Sequence, residues 1–145
     1  MRVVDRNAMV PYSAEQMYAL VDDVEAYSEF LPWCTAAVLQ SRNAEEFIAS
    51  LTIGYGALNS AFTTRNLLHP PHSMTMQLQD GPFRLLEGRW EFEQLGDSGC
   101  EVKLRVEFEF SSAVQDMLFG KTFETICNDL IGAFIKRAHM LYGIS

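Results

Sequence analysis

The sequence predicts an α+β fold: a strongly twisted antiparallel sheet of about six to seven strands wrapped round one long C-terminal helix. Three observations predict it. From Ser111 to Tyr142, apolar residues such as Val114, Leu118, Phe123, Ile126, Leu130, Phe134 and Leu141 recur at steps of three and four, the period of one helix face. Between residues 47 and 110 apolar residues recur instead at every second position, the period of strands with one face in a core. The connections between these runs are short and rich in Gly, Pro and Asn, so successive strands must pair antiparallel.

Taken in order, Val3–Val10 reads as a strand that Pro11-Tyr12-Ser13 ends. Ser13 with Gln16 three residues on forms a capping box for a short helix with Met17, Tyr18, Leu20, Val21 and Val24 on its apolar face. A second helical turn carries Tyr27, Phe30 and Leu31 and stops at Pro32. Trp33–Ser41 is the next strand, followed by a turn at Arg42-Asn43-Ala44. Phe47, Ala49, Leu51 and Ile53 alternate in a strand that ends at Gly54-Tyr55-Gly56, and Leu58–Leu68 follows with Phe62 at its centre. Pro70-Pro71 turns the chain into a strand with Met74, Met76 and Leu78 on one side, which Asp80-Gly81-Pro82 breaks. Leu86, Gly88, Trp90 and Phe92 share one parity in the next strand, before the Gly96–Gly99 loop. Cys100, Val102, Leu104, Val106, Phe108 and Phe110 then alternate with charged residues in the cleanest strand of the chain.

The final helix has Ser111 and Ser112 to cap it, Asp116 near its start, Lys136, Arg137 and His139 near its end, and Gly143 to stop it. Some thirty residues at 1.5 Å each make a rod of roughly 45 Å. Gly120 and Gly132 are points where it can bend.

The 145 residues form one domain, 1–145, of globular composition, with 48% hydrophobic residues. No apolar run approaches the length of a membrane-spanning helix. The N-terminal segment has charges within its apolar run and does not read as a signal peptide. Cys34, Cys100 and Cys127 are too widely spaced for a CxxC pair and read as buried free thiols in a reducing compartment. A net charge of −8 argues against DNA binding, against broad contact with nucleic acid, and against docking on an anionic membrane.

The apolar face of such a sheet is wider than one helix, so the uncovered part can close over a cavity. Met74, Met76, Met117 and Met140 are the flexible side chains suited to irregular gaps. Periodicity by itself fits plain core packing better than a cavity.

The same residues also carry a resemblance. Val10-Pro11-Tyr12-Ser13, Met17–Val21, Asp23-Val24, Tyr27 and Phe30–Cys34 look like the opening of one family. Phe62–Asn66 resembles its central strand. Asp80–Phe83, Leu86, Gly88, Trp90 and Phe92 resemble its next segment, and Phe108–Phe110, Ala133-Phe134, Arg137-Ala138 and Tyr142 its end. This is the family of mitochondrial coenzyme-Q-binding proteins and bacterial ribosome association toxins of the RatA type, within the START-like, helix-grip superfamily that includes polyketide cyclases. The matches run along nearly the whole chain; Ser28 departs from them, standing where members often have Pro. The resemblance implies a helix-grip fold around a hydrophobic cavity. It also implies ubiquinone binding linked to respiration in one branch, and a block on ribosomal subunit joining through the large subunit in the other. A chain that starts at once with the domain, without a mitochondrial leader, resembles the bacterial, cytoplasmic members.

Catalytic chemistry is poorly supported. His69 and His72 flank the diproline turn and His139 sits at a helix end, so no triad or metal set is legible. Gly54-Tyr55-Gly56 joins two strands and is no nucleotide loop. Asp22, Asp23 and Glu25 read as a solvated helix face. The expectation is therefore a non-enzymatic binding protein for a hydrophobic small molecule, ubiquinone or a related lipid, with no required cofactor or metal. By parity the sheet supplies Phe62, Met74, Met76, Leu78, Leu86, Trp90, Phe92, Phe108 and Phe110 as cavity walls. The helix closes it with Phe123, Ile126, Leu130 and Phe134, while Trp33 and Tyr55 stand at a mouth and Arg65 either holds a polar head group or pairs with a carboxylate. The alternative expectation is a protein that binds the large ribosomal subunit, through a local basic patch drawn from Arg65, Arg84, Arg89, Lys136 and Arg137.

Overall fold

The structure, a computed structural model, describes residues 1–143. In chain order it contains β1 (Arg2–Val10), α1 (Ala14–Asp22), a 3-10 turn (Val24–Ala26) and α2 (Tyr27–Phe30). Then come β2 (Cys34–Arg42), β3 (Glu46–Tyr55), β4 (Leu58–His69), β5 (Ser73–Asp80), β6 (Phe83–Leu95), β7 (Gly99–Phe110) and α3 (Ala113–Tyr142). The strands make one antiparallel sheet in the order β1-β7-β6-β5-β4-β3-β2. β2 to β7 form the meander that the short loops require. β1 closes the order by pairing along β7, from Arg2 opposite Phe108 to Val10 opposite Cys100. The two small helices carry the chain from one sheet edge to the other.

Local chemistry fixes the element ends. The Ser13 hydroxyl accepts from the Gln16 amide at 3.1 Å, and the Gln16 side chain accepts from the Ser13 amide at 2.9 Å, so α1 starts with two of its orphan donors satisfied. Leu31 turns to extended backbone ahead of Pro32 and ends α2. α3 begins at Ala113 because Ser112, not Ser111, is the cap that accepts from the Gln115 amide.

α3 runs unbroken through both glycines. At Gly120 the missing side chain serves a close approach: a Cβ there would lie 2.4 Å from Nε of Arg2. Arg2 comes from β1 and reaches Asp116 at 3.6 Å and Glu124 at 3.7 Å, tying the first strand to the last helix. At the other end Tyr12 donates to the Gly143 carbonyl at 2.6 Å and also meets Nδ1 of His139. A phenol has one proton to give, so Nδ1 carries the proton of that second bond.

The apolar stripe of α3 is buried only along its middle. Phe123, Ile126, Cys127, Ile131, Phe134 and Ala138 face the sheet, whereas Val114, Met117, Leu118, Met140 and Leu141 are exposed. A rod of roughly 45 Å outreaches the sheet beneath it. Met117 and Met140, expected as gap-fillers, therefore lie outside the core, while Met74 is buried within it.

All three cysteines are buried and free. Burial pushes the Cys100 thiol up to about 11 and, with the Glu124 charge added, that of Cys127 up to about 12; Cys34 is also raised by burial. A folded-state pKa above the unfolded value favours folding below the unfolded pKa and is lost as pH rises through the folded one. Stability should therefore hold up to about pH 8 and decline as unfolded thiols ionise above that. Iodoacetamide labelling of the native protein near neutral pH should wait on unfolding; rapid labelling of native Cys127 would contradict its burial.

Candidate ligand cavity

The concave face of the sheet and the inner face of α3 meet over a layer of aromatic rings. Phe123 of α3 lies 4.7 Å from Phe108, 5.0 Å from Phe83 and 6.2 Å from Phe62, ring centre to ring centre. A second cluster joins Phe134 to Trp90 at 5.2 Å, to Phe30 at 5.1 Å and to Tyr27 at 5.5 Å. Between the clusters a space remains.

That space is a cavity of about 70 Å³. Eight of the side chains expected as walls line it, Phe62, Met76, Leu86 and Trp90 from the sheet and Phe123, Ile126, Leu130 and Phe134 from α3, and so does Trp33, expected at a mouth. Trp33 is buried in the wall and does not stand at a mouth. The others lie elsewhere. Met74, Phe92, Phe108 and Phe110 face inward but are packed solid, Phe92 against Trp90 and Tyr18, and Phe108 and Phe110 against Phe83. Leu78 is half-buried at the margin, and Tyr55 is exposed on its hairpin. Arg65 points away altogether: it is exposed on the outer face and paired with Glu46 across the β3–β4 ladder.

The Arg65 correction follows from strand geometry. With Phe62 inward, period two puts Thr64 and Asn66 inward and Arg65 out. Thr64 and Asn66 are buried and form the polar part of the wall, 5% and 3% exposed. The Asn66 amide nitrogen donates to Thr64 Oγ1 at 3.0 Å, to the Thr64 carbonyl at 3.2 Å and to the Phe47 carbonyl at 3.4 Å. Other lining residues that sequence reasoning missed are Val24, Tyr27, Phe47, Leu51, Val106 and Cys127. Phe47, Leu51, Val106 and Cys127 have the expected inward parity or helix face and were legible as core. Val24 and Tyr27 come from the α1–α2 connection, whose position over the cavity no local pattern reports.

Among the described residues no charged side chain lines the cavity. The Tyr27 hydroxyl donates to the Val21 carbonyl, and burial pushes its pKa far up, so it stays neutral. Among the lining residues only Tyr27, Met76 and Leu130 are half-exposed; the rest are buried. Met76 is also the wall's adjustable piece. Its methyl lies where a Cβ on Gly88 would sit, 2.3 Å from that position, so glycine in β6 makes room for a flexible side chain of β5. About 70 Å³ is roughly half of an engineered apolar cavity of about 150 Å³ that binds benzene. A ring-sized ligand would have to displace side chains such as Met76.

A wider groove of about 580 Å³ between α1 and the Asn43 and Pro70-Pro71 turns is open to solvent and holds Glu15, Asp22 and Arg42. Arg42 is occupied there, bonded to Asp22 at 2.9 Å and stacked 4.6 Å over Phe47. It does not suit an apolar ligand.

Comparison with known proteins agrees with this architecture. Residues 10–135 match the family described as polyketide cyclase / dehydrase and lipid transport. The ribosome association toxin RatA of Vibrio cholerae is 42% identical over 143 residues, 99% of both chains. The mitochondrial coenzyme Q-binding protein COQ10 of Drosophila melanogaster is 32% identical over 142 residues, 95% of this chain and 59% of that protein. Among solved structures, the 18 kDa protein CC1736 of Caulobacter crescentus superimposes with a TM-score of 0.78 at 30% identity, covering 99% of this chain and 100% of that one. The Zhui aromatase/cyclase of Streptomyces gives a TM-score of 0.84 at 16% identity, covering 95% of this chain and 93% of that one, which is a likeness of fold. A family match over most of the chain and relatives that align from end to end carry the same conclusion: the chain belongs to the polyketide cyclase / dehydrase and lipid transport family of START-like proteins, in its branch of ribosome association toxins and coenzyme Q-binding proteins.

Proposed function

We propose that this protein binds a neutral hydrophobic ligand, ubiquinone or a related isoprenoid lipid, in the cavity under α3, and that it acts in the cytoplasm as a binding protein without enzymatic activity or a required cofactor. The observation that carries this reading is the uncharged aromatic wall interrupted by one polar pair, Thr64 and Asn66. Apolar walls stabilise an isoprenoid tail by roughly 25 cal/mol per Å² buried, before ordering costs. The closed volume requires the half-exposed Tyr27, Met76 and Leu130 to part, which sets the route by which the ligand enters. Native mass spectrometry of protein purified from bacteria, with analysis of its organic extract, should find a quinone or isoprenoid lipid in stoichiometric amount. Leu130→Asp, at the half-exposed rim where the fold tolerates charge, should lose most of it; full lipid content in the folded variant would contradict the assignment.

A second reading is favoured by the relatives named ribosome association toxins, 37–42% identical over nearly the whole chain: association with the large ribosomal subunit. The surface bears on how. Among the described residues Arg2, Arg42, Arg65, Arg84, Arg89, Lys103, Arg105 and Arg137 are each paired with a carboxylate, which leaves Arg6, Lys121 and Lys136 as exposed cations outside the ion pairs, Arg6 donating to the Asn128 side chain. Of the basic patch expected from Arg65, Arg84, Arg89, Lys136 and Arg137, the four arginines are neutralised where they stand, and Lys136 is not. Contact would therefore fall on ribosomal protein more than on RNA phosphates, with a shallow salt dependence. Sedimentation with purified large subunits at low and moderate salt tests this: co-sedimentation that persists as salt rises is expected, and no association at low salt would end the reading.

A further inference from the structure

The polar pair in the cavity wall is more selective than its burial requires. All three hydrogen bonds of the Asn66 side chain leave through Nδ2, two of them to backbone carbonyls. A carbonyl can only accept, so the amide orientation is fixed by its partners. Oδ1 is then the atom left for a ligand. Thr64 Oγ1 already accepts from Asn66, which frees its own proton to be donated into the cavity.

The other polar groups of the wall are weaker acceptors than an amide carbonyl. Tyr27 gives its proton to Val21, and its phenol oxygen, still able to accept, belongs to a half-buried side chain. Trp33 and Trp90 carry donors only, and the Cys127 thiol is a weak donor held protonated by burial. Asn66 Oδ1 is therefore the strongest acceptor of the wall, and among the described lining residues no charge meets a carboxylate or phosphate.

We propose that Thr64 and Asn66 are the head-group site of this cavity, and that Asn66 Oδ1 selects neutral lipids whose head group carries a hydroxyl. This rests on the cavity being a ligand site. A head with carbonyl or ether oxygens alone satisfies Thr64 and leaves Oδ1 buried without a donor, which costs about as much as a lost hydrogen bond. A phenol or alcohol satisfies both. Of the two redox forms of an isoprenoid quinone, the quinol is the one this wall takes more tightly, since only it has O–H groups to give. Anionic lipids are excluded by the absence of any cation in the wall.

The test uses a matched pair of probes, para-nonylphenol and its methyl ether para-nonylanisole, competing for the neutral fluorophore N-phenyl-naphthylamine bound to the intact protein. Partition from water favours the ether, so a preference for the phenol has to come from the site. The wild type should hold the phenol about five- to tenfold more tightly than the ether, the ratio one hydrogen bond supplies. Asn66→Leu should erase that preference while still binding both probes. Thr64→Val, which leaves Asn66 its two backbone partners, should keep it. Equal binding of phenol and ether by the wild type overturns the head-group assignment and leaves the cavity as a ligand site. Preference that survives in Asn66→Leu overturns it too. Failure of the folded wild type to bind the fluorophore and both probes overturns the ligand reading itself. The wild-type comparison decides the matter even if Asn66→Leu does not fold.

Discussion

The structure depends on the packing of Phe123 into the concave face of the sheet. Its ring lies within 6.2 Å, centre to centre, of Phe62, Phe83, Phe108 and Phe110, which come from β4, β6 and β7. One helical side chain thus fixes the depth at which α3 lies and the curvature the sheet must adopt to reach it. Deleting a buried Phe costs about 3–5 kcal/mol in comparable cores, a large share of the stability of a typical domain. The second contact between helix and sheet, Phe134 on Trp90, is backed by Tyr27 and Phe30 from the small helices. Two points of contact on a rod and a curved sheet leave a gap between them. The cavity is the geometric remainder of that arrangement, and its lining is apolar because everything near it was selected to pack.

Most of the fold is legible in the chain because each element states its own period. β7 alternates without a fault from Cys100 to Phe110, and its inward residues are all buried. The pairing of β1 with β7 is not legible, because nothing in Arg2–Val10 names its partner 90 or more residues away. The cavity is legible only in part for a related reason. Parity says which side chains face inward, so Phe62, Trp90 and Phe134 are found. It does not say which inward residues are packed solid, as Phe108 and Phe110 are, and which border free space. That distinction belongs to the curvature of the whole sheet. Of the two roles open to Arg65, pairing with a carboxylate is the one it takes, and the head-group role fails for a local reason: strand geometry places Arg65 outside, while its neutral neighbours Thr64 and Asn66 hold the inner positions.

Charge is organised by the same separation of faces. The outer surface of the sheet carries paired ions, such as Arg105 with Glu107 at 2.9 Å and Asp5 at 3.2 Å, and Arg89 with Glu91 at 2.8 Å. Exposed pairs of this kind contribute little to stability, about 0–1 kcal/mol each, but they leave the arginines committed. Among the described residues the inner face carries none around the cavity, and its charges lie along β1, where Arg2 meets Asp116 and Glu124 and Arg6 meets Asn128 of α3. A protein built this way offers a neutral interior to a lipid and an acidic exterior, with a net charge of −8, to a macromolecular partner. The cavity and the outer surface are separate, so the two proposed readings need not compete.

Methionine methyl NMR during titration with a short-tailed ubiquinone tests the central claim most directly, since the seven methionines sample every relevant environment. Met76 lines the cavity, Met74 is packed solid beside it, and Met9, Met117 and Met140 are exposed. The account predicts a saturable shift of the Met76 methyl as it leaves its place over Gly88, with the exposed methionines unmoved. Shifts confined to Met117 and Met140, with Met76 unchanged, would mean that the ligand adsorbs on the ends of α3 and that the cavity stays closed.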